Sequence, residues 1–199
     1  VNDANTTNLN AEDLSALGAK TAGTVTVSNA VNIQGTTDQV TAALVTADSL
    51  VVAASATVEL DDASTVAELN AIAPKAGVIT GSIAATSLAS LSDLATAGTD
   101  VITITVNDGA GSGLSATDLS TLGGKTAGTV TVSEAVVISG TTSQVTAALV
   151  TDDTKVAAGS ALVTISDANT TNIDAEDLSA IGEKTSGQVT VSNAINIQG

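Results

Sequence analysis

Aspartates recur at one point of the sequence pattern, where a β-type segment is followed by the start of a predicted helix. The four are Asp3, Asp62, Asp108 and Asp167. Ca²⁺ binds six to eight oxygen ligands, which carboxylates on stacked turns can supply. These aspartates are therefore the candidate calcium ligands, and calcium is the one cofactor that the sequence suggests. The alternative is that each aspartate accepts hydrogen bonds from the backbone of its own turn.

The segment Gly124-Lys125-Thr126 is similar to the end of a phosphate-binding loop. Such a loop requires a glycine five residues before Gly124, and Leu119 stands there instead. Lys125 and its counterparts in the other repeats follow predicted helices, whose C-terminal carbonyl groups favour a nearby positive charge. Helix stabilisation is the interpretation that fits every copy, and no nucleotide cofactor is expected.

Two threonine pairs could belong to a flat array of the kind that binds ice. They lie in Thr24-Val25-Thr26 and Thr129-Val130-Thr131. The corresponding segment Thr57-Val58-Glu59 interrupts the array. The preference of threonine for β-strands is therefore the favoured explanation.

The residue types that usually carry catalysis are absent from the chain. It contains no His, Cys, Tyr or Arg, so a general base near neutral pH would need a strongly shifted carboxyl or lysine. Adjacent carboxylates occur at Glu12-Asp13, Asp152-Asp153 and Glu176-Asp177. Neighbouring positions of a helix point in different directions, so these pairs do not form a dyad. The sequence predicts a protein that is not an enzyme.

Composition limits the classes of partner. The formal net charge of -16 opposes binding to nucleic acid and to anionic membranes, because phosphate groups are bound by Lys and Arg. The stretch 76–92, which no other uncharged stretch exceeds in length, is too short and too rich in Gly, Ser and Thr to span a membrane. With 43% hydrophobic residues and no aromatic residue, the chain suits a narrow aliphatic core. We expect neither nucleic-acid binding nor membrane insertion.

The sequence repeats itself. Residues 1–48 align without gaps on residues 106–153, with 34 of 48 positions identical. Residues 1–35 align again on residues 165–199, with 26 of 35 identical. Self-similarity of this kind is typical of solenoids and other repeat architectures.

A shorter helix signal recurs seven times inside this repeat. A capping residue is followed three positions later by an acid or amide and then by an aliphatic anchor, which is the pattern of a capping box. The capping residues are Asn10, Thr36, Thr65, Ser90, Ser115, Thr141 and Asp174. The anchors are Leu14, Val40, Leu69, Leu94, Leu119, Val145 and Leu178, which lie 25 to 33 residues apart. Helices of about two turns are too short to be stable alone in water.

Between the helix signals lie short segments in which Val, Ile and Thr alternate, such as Val101 to Val106 and Leu162 to Ile165. We therefore predict an α/β solenoid, a right-handed stack of about seven coils, each with one or two short parallel strands and one short helix. Residues 1–199 would form a single repeat array. Both ends fall inside the repeat, so we expect either an excerpt of a longer array or a subunit that polymerises, with the chain itself as its partner.

The unit KTAGTVTVSNAVNIQGTTDQVTAAL, with DDASTVAELNAI and VNDGAGSGLSATDLSTLG, resembles low-complexity repeats of giant secreted or cell-surface proteins of marine bacteria, cyanobacteria especially. The resemblance covers essentially the whole chain. It implies a secreted or cell-surface protein with an adhesin-like structural role, as a stalk, surface layer or filament, and it implies no catalytic residue. The alternative is a module of a surface adhesin that calcium makes rigid or that binds a glycan.

Overall fold

The computed structural model describes residues 1–46 and 50–199 and shows an α/β protein. This part of the chain contains seven α-helices and fifteen short strands, and its strand pairings are all parallel. The α/β class with parallel strands that the sequence predicts is therefore confirmed. The chain divides into two compact units, residues 1–84 with 93–103 and residues 85–92 with 104–199.

The helices are short in both units. Those of the first unit are α1 (Ala11–Gly18), α2 (Thr37–Leu44) and α3 (Val66–Ile72). Those of the second unit are α4 (Leu88–Leu91), α5 (Ala116–Gly123), α6 (Thr142–Val145) and α7 (Ala175–Gly182). A 3₁₀ turn, Ala73–Lys75, follows α3, while a π-helical segment, Thr146–Val150, and a 3₁₀ turn, Asp152–Thr154, follow α6.

In the first unit two sheets are formed. The strands are β1 (Asn8–Asn10), β2 (Val25–Thr26), β3 (Asn32–Gly35), β4 (Val51–Val52), β5 (Thr57–Ser64) and β6 (Val78–Ile83), with the first half of β7 (Val101–Val106). The larger sheet has the order β1-β3-β5-β6-β7, and β2 pairs with β4. Consecutive strands of one sheet are separated in the chain by a helix or loop, as parallel pairing requires.

The second unit repeats this arrangement. Its strands are the second half of β7, β8 (Gly113–Ser115), β9 (Val130–Val132), β10 (Val137–Gly140), β11 (Val156–Ala157), β12 (Leu162–Ile165), β13 (Asn172–Asp174), β14 (Val189–Val191) and β15 (Asn196–Gln198). One set has the order β8-β10-β12-β14, a second pairs β7, β9 and β11, and β13 pairs with β15.

The core of each unit consists of rows of aliphatic side chains in register. In the first unit Leu9 lies opposite Ile33, Ile33 opposite Val58, and Val58 opposite Ile79. The second unit has the row Leu114, Ile138, Val163 and Val189. Six of the seven aliphatic anchors lie on the helices that cover these rows, and Leu94 lies after α4. All seven are buried except the half-buried Leu178. Small branched side chains fill these narrow cores without any aromatic residue.

Capping boxes form only where the third residue of the helix is long enough. The reciprocal pair of bonds is present at Thr36 with Gln39, at Thr65 with Glu68 and at Thr141 with Gln144. At Ser115 the third residue is Asp118, and only the bond from its amide to the cap hydroxyl is made. Asp has one methylene fewer than Glu, so its carboxylate does not reach back to the N-cap amide.

The fourth helix is not where the sequence pattern places it. The pattern predicts an N-cap at Ser90 and an anchor at Leu94, but α4 begins at Leu88, with Ser87 as its N-cap, and ends at Leu91. Leu94 is buried after the helix. An earlier capping hydroxyl, Ser87, accepts from the Ser90 amide and so starts the helix three residues sooner.

Candidate functional site

The predicted calcium ligand Asp62 caps a helix of the preceding repeat. It lies where the register of β5 and β6 shifts between Glu59 and Ala63, and such an irregularity re-aims side chains. One carboxylate oxygen, Oδ1, accepts from the Thr37 backbone amide at 2.7 Å and from the Thr37 hydroxyl at 2.7 Å. Thr37 is the first residue of α2, whose first amides lack partners within the helix. Asp62 therefore satisfies a helix start that lies 25 residues earlier in the chain.

A buried hydroxyl extends this contact. The Thr37 and Ser64 hydroxyl oxygens lie 2.6 Å apart, and Ser64 is fully buried. Since Thr37 donates its single hydroxyl proton to Asp62, the Ser64 hydroxyl must donate to Thr37. The result is a chain of hydrogen bonds that ends on a carboxylate.

Asp167 makes the same contact in the second unit. Its Oδ2 accepts from the amide of Thr142 at 2.7 Å and from the hydroxyl of Thr142 at 2.8 Å. Thr142 opens α6 and again lies 25 residues before the aspartate. The contact is therefore a repeated device of the array. We call it the inter-repeat cap.

Asp108 forms an inter-repeat cap with one hydrogen bond instead of two. Its Oδ2 accepts from the amide of Leu88, the first residue of α4, at 2.7 Å. Leu88 has no hydroxyl, so one bond replaces two. This bond also holds the start of α4 at Leu88.

The hydrogen bonds to Asp62 change its acidity. The Thr37 amide and then the Thr37 hydroxyl stabilise the charged carboxylate and lower the pKa of Asp62, against a smaller opposing effect of burial. The carboxylate is therefore held in its charged form by two donors of α2.

Asp3 has a different environment from the other three. Its side chain is exposed, and its backbone carbonyl accepts from the Asn29 side-chain amide at 2.5 Å. Among residues 1–46 and 50–199, no three acidic side chains come together in a group that could hold a metal ion. The four candidates therefore form no such group, and three of them bind helix amides of another repeat.

Three carboxylates do line one open groove of the second unit. Asp167, Asp174 and Asp177 border a groove of about 460 Å³ beside Thr146. The Thr146 hydroxyl oxygen is buried and has no hydrogen-bond partner among the described residues. Most residues that line the groove are polar or acidic, and none of them is basic.

Sequence reasoning did not single out Asp100, although it is the one buried acid in the described part of the chain. Its Oδ1 accepts from the amide of Ile79 at 2.9 Å and its Oδ2 accepts from the amide of Ala97 at 2.8 Å. Asp100 follows a loop and precedes β7, so it connects that loop to β6. The only local signal was an aspartate directly before a strand.

The segment that is similar to a phosphate-binding loop also connects repeats. The Lys125 ammonium donates to the carbonyl of Ser92, the C-cap of α4, at 2.9 Å. Lys125 therefore stabilises the end of a neighbouring helix, whereas the sequence suggested its own helix. It borders a groove of about 370 Å³ whose walls include Leu88, Leu91 and Leu122.

The threonine rows are interrupted in the structure. Thr131 lies opposite Thr105 on one side and Ala157 on the other, and Thr26 lies opposite Val52. A continuous threonine array at the positions considered for ice binding is therefore not formed.

An amide and carboxylate ladder crosses the exposed face of the first unit. Glu59 Oε2 accepts from Gln34 Nε2 at 2.5 Å and from Asn32 Nδ2 at 3.1 Å. Asn32 Nδ2 also donates to Asn8 Oδ1 at 3.2 Å. The Gln34 bond and then the Asn32 bond lower the pKa of Glu59.

No known protein family, curated protein or solved structure matches the chain. In the described part of the chain, no helix is both long enough and apolar enough to cross a membrane.

Proposed function

We propose that the chain is a structural repeat segment of an extracellular protein, in which about seven coils stack into a right-handed α/β solenoid. Its role is that of a rod, as in an adhesin stalk, a surface layer or a filament subunit. Its partner is a further copy of the same kind of repeat. The chain catalyses no reaction, binds no nucleic acid and does not insert into membranes.

The strand register carries this proposal. Within the first unit β1 pairs with β3 at an offset of 24 residues and β3 pairs with β5 at an offset of 25. Within the second unit β8 pairs with β10 at 24 and β10 pairs with β12 at 25. Each repeat therefore adds one parallel strand beside the equivalent strand of the preceding repeat. That is how a solenoid grows.

The inter-repeat caps also support the proposed stacking of repeats. The starts of α2 and α6 are held by an aspartate of the following repeat. Because each helix is too short to be stable alone, its order depends on the neighbouring repeat. A surface with a net charge of -16 keeps such an array soluble and separate from other acidic material.

A longer array tests the stacking. Residues 36–199 can be joined after Gly199 with the repeat in phase, because residues 165–199 correspond to residues 1–35. Small-angle X-ray scattering should show a maximum dimension that grows by roughly 4.8 Å per added coil, with a constant cross-section. The melting temperature should also rise, since added neighbours stabilise each repeat. A cross-section that grows with the added mass would refute the solenoid.

The extracellular role is tested separately. An antibody against the chain should label intact cells of the source organism without permeabilisation. Labelling that requires permeabilisation would refute the location while leaving the solenoid untouched.

A second candidate function is a module that calcium makes rigid or that binds a glycan. The groove lined by Asp167, Asp174 and Asp177 is the observation that favours it. Asp174 and Asp177 are exposed, while Asp167 is partly buried and already accepts two hydrogen bonds from Thr142. The remaining carboxylate oxygens could accept hydrogen bonds from sugar hydroxyls or bind a hydrated cation. A titration with Ca²⁺ and with neutral oligosaccharides, followed by calorimetry, distinguishes this module from the structural rod.

A further inference from the structure

Two of the twelve asparagines carry a threonine two residues later with no proline between them. They are Asn5 and Asn169, in Asn5-Thr6-Thr7 and Asn169-Thr170-Thr171. This tripeptide is the acceptor sequence of N-linked glycosylation, which requires a surface position in an exported protein. The two asparagines correspond to each other in the repeat, at an offset of 164 residues. We propose that Asn5 and Asn169 are acceptor sites for an N-linked glycan, an inference that rests on the proposed extracellular function.

Each asparagine lies on an exposed turn, and the two turns have the same conformation. The following residues, Thr6 and Thr170, have φ angles of 65° and 67° and lie in the left-handed region. Their amides donate to the carbonyls of Ala30 and Ala194 at 2.8 and 2.7 Å. These hydrogen bonds attach each turn to the residues just before β3 or β15. The side chain of the asparagine remains exposed.

The side-chain amide of each asparagine has its nitrogen available. Asn5 Oδ1 accepts from the amide of Ala30 at 3.2 Å, and Asn169 Oδ1 accepts from the amide of Ala194 at 3.1 Å. With the oxygen facing a backbone N–H, Nδ2 has to face the other way. Within residues 1–46 and 50–199, neither Nδ2 donates to a protein atom. A sugar bonded to Nδ2 would therefore extend into solvent and leave the Oδ1 bond intact.

Neighbouring asparagines show the contrast. Asn29 Nδ2 donates to the carbonyl of Asp3 at 2.5 Å, and Asn193 Nδ2 donates to the carbonyl of Asp167 at 2.6 Å. Asn29 Nδ2 also donates to Asn2 Oδ1 at 3.2 Å, so both of its hydrogens are used and a glycan there would displace one of these bonds. Neither residue is followed by Ser or Thr at the second position.

The hydroxyl that completes the acceptor sequence is also available. The side chains of Thr7 and Thr171 make no hydrogen bond with the described residues, although their amides close the turn by donating to Ala4 and Ala168 at 3.1 Å. A transferase could therefore contact these hydroxyls without breaking a hydrogen bond of the fold.

The turn itself does not require asparagine, which weakens a purely structural explanation. In the copy of the repeat that spans residues 106–153, the turn is made by Ala110-Gly111-Ser112. Gly111 has a φ angle of 79°, and its amide donates to the carbonyl of Ala135 at 2.9 Å, as Thr6 and Thr170 do in their copies. The backbone amide of Ser112 donates to the carbonyl of Gly109 at 3.0 Å. The same backbone forms with Ala110 in place of Asn5.

The transfer needs a lipid-pyrophosphate-linked oligosaccharide and an oligosaccharyltransferase. Nδ2 of the asparagine attacks C1 of the first sugar, forming the Nδ2–C1 bond. The bond between C1 and the pyrophosphate oxygen breaks, and the lipid pyrophosphate leaves. Nδ2 gives up one proton to a base of the transferase. No electrons are gained or lost by the chain, which supplies only the amide nitrogen.

The test is to export the 199-residue chain through a secretory compartment that contains this transferase and to measure the intact mass and glycopeptides. We expect a glycan at Asn5 and at Asn169, which an amidase releases with conversion of each asparagine to aspartate. Asn5→Gln and Asn169→Gln should each lose one glycan, whereas the control variants Asn29→Gln and Asn193→Gln should lose none. An exported chain with no glycan at either position, or with glycans only at other asparagines, overturns the proposal.

A gain of modification tests the role of the turn. Ala110→Asn places an asparagine two residues before the natural Ser112 and should add a third glycan at that turn. A folded Ala110→Asn variant that stays unmodified while the other two sites are occupied would contradict the idea that the shared turn suits the acceptor. X-ray scattering of the same secreted chain tests the solenoid independently, so failure of glycosylation and failure of the structural role are distinguishable.

Discussion

Single side chains hold the repeats to one another, and the inter-repeat cap is the clearest case. Asp62 was singled out by sequence as a calcium ligand, with its own turn as the alternative partner. Its observed partner is Thr37 in the preceding repeat. No local pattern predicts a contact between residues 25 apart. The equal spacing of Thr142 and Asp167 was the one signal that could have revealed it.

The cap predicts a pH dependence of stability. The pKa of Asp62 is lower in the folded chain than its ordinary value of about 3.9. Such a group stabilises the fold fully above its unfolded pKa, and this contribution is lost as the pH falls through the lower folded pKa. Asp62→Asn should therefore melt at a lower temperature than the natural chain at neutral pH, and the difference should disappear in strong acid.

Thermal melting followed by circular dichroism between neutral and strongly acidic pH checks this prediction. Asp61→Asn is the matched control, since Asp61 is exposed and shows no side-chain hydrogen bond in the described part of the chain. If Asp62→Asn and the natural chain differ equally at every pH, the charge of Asp62 does not stabilise α2.

At the scale of secondary-structure elements, the alternation of Val, Ile and Thr predicted several β-strands. Strands β7 and β12 have the predicted bounds. Strands β1, β8 and β13 were missed, because each contains one aliphatic residue between polar or small residues and so shows no alternation. The helix α4 was placed too late because two capping hydroxyls, Ser87 and Ser90, compete, and sequence does not show which of them the fold uses.

Gly123 ends α5 for a reason that the sequence did not show. Gly123 is the last residue of α5, and the next residue keeps a right-handed helical conformation, so no left-handed cap is formed. A Cβ at Gly123 would lie 1.8 Å from the carbonyl oxygen of Thr154. Glycine is needed there because the turn Asp152–Thr154 passes directly against the helix.

The corresponding helix α7 offers a matched comparison. A Cβ at Gly182 would meet nothing within 4 Å. Gly123→Ala should lower the free energy of unfolding by about 1–3 kcal/mol or more through overpacking. Gly182→Ala should be neutral or stabilising by roughly 0.5–1 kcal/mol, since alanine loses less backbone entropy than glycine.

Urea unfolding of the two variants and the natural chain measures both effects. Equal stability of Gly123→Ala and Gly182→Ala would show that the contact between α5 and Thr154 is looser than the structure indicates.

For the molecule as a whole, the effect of Ca²⁺ on the melting temperature distinguishes the two proposed functions. Since no three acids in residues 1–46 and 50–199 form a group that could hold a metal ion, we expect the melting temperature to be the same with EDTA and with added Ca²⁺. Differential scanning calorimetry in both buffers checks this. A rise in the melting temperature with Ca²⁺ that Asp174→Asn abolishes would instead assign the groove of Asp167, Asp174 and Asp177 to calcium.

Nearly identical repeats can mispair during folding, because a strand can pair with the equivalent of its neighbour in another repeat. The hydrogen bonds of Glu59 disfavour one such wrong pairing. Its two amide donors, Gln34 and Asn32, correspond in the other long repeat to Ser139 and Val137, which have no side-chain amide. If β5 paired with β10 instead of β3, the carboxylate of Glu59 would lose both donors. The unrepeated Glu59 thus distinguishes β3 from β10, whereas β15, which keeps both amides as Asn196 and Gln198, would supply the same two donors.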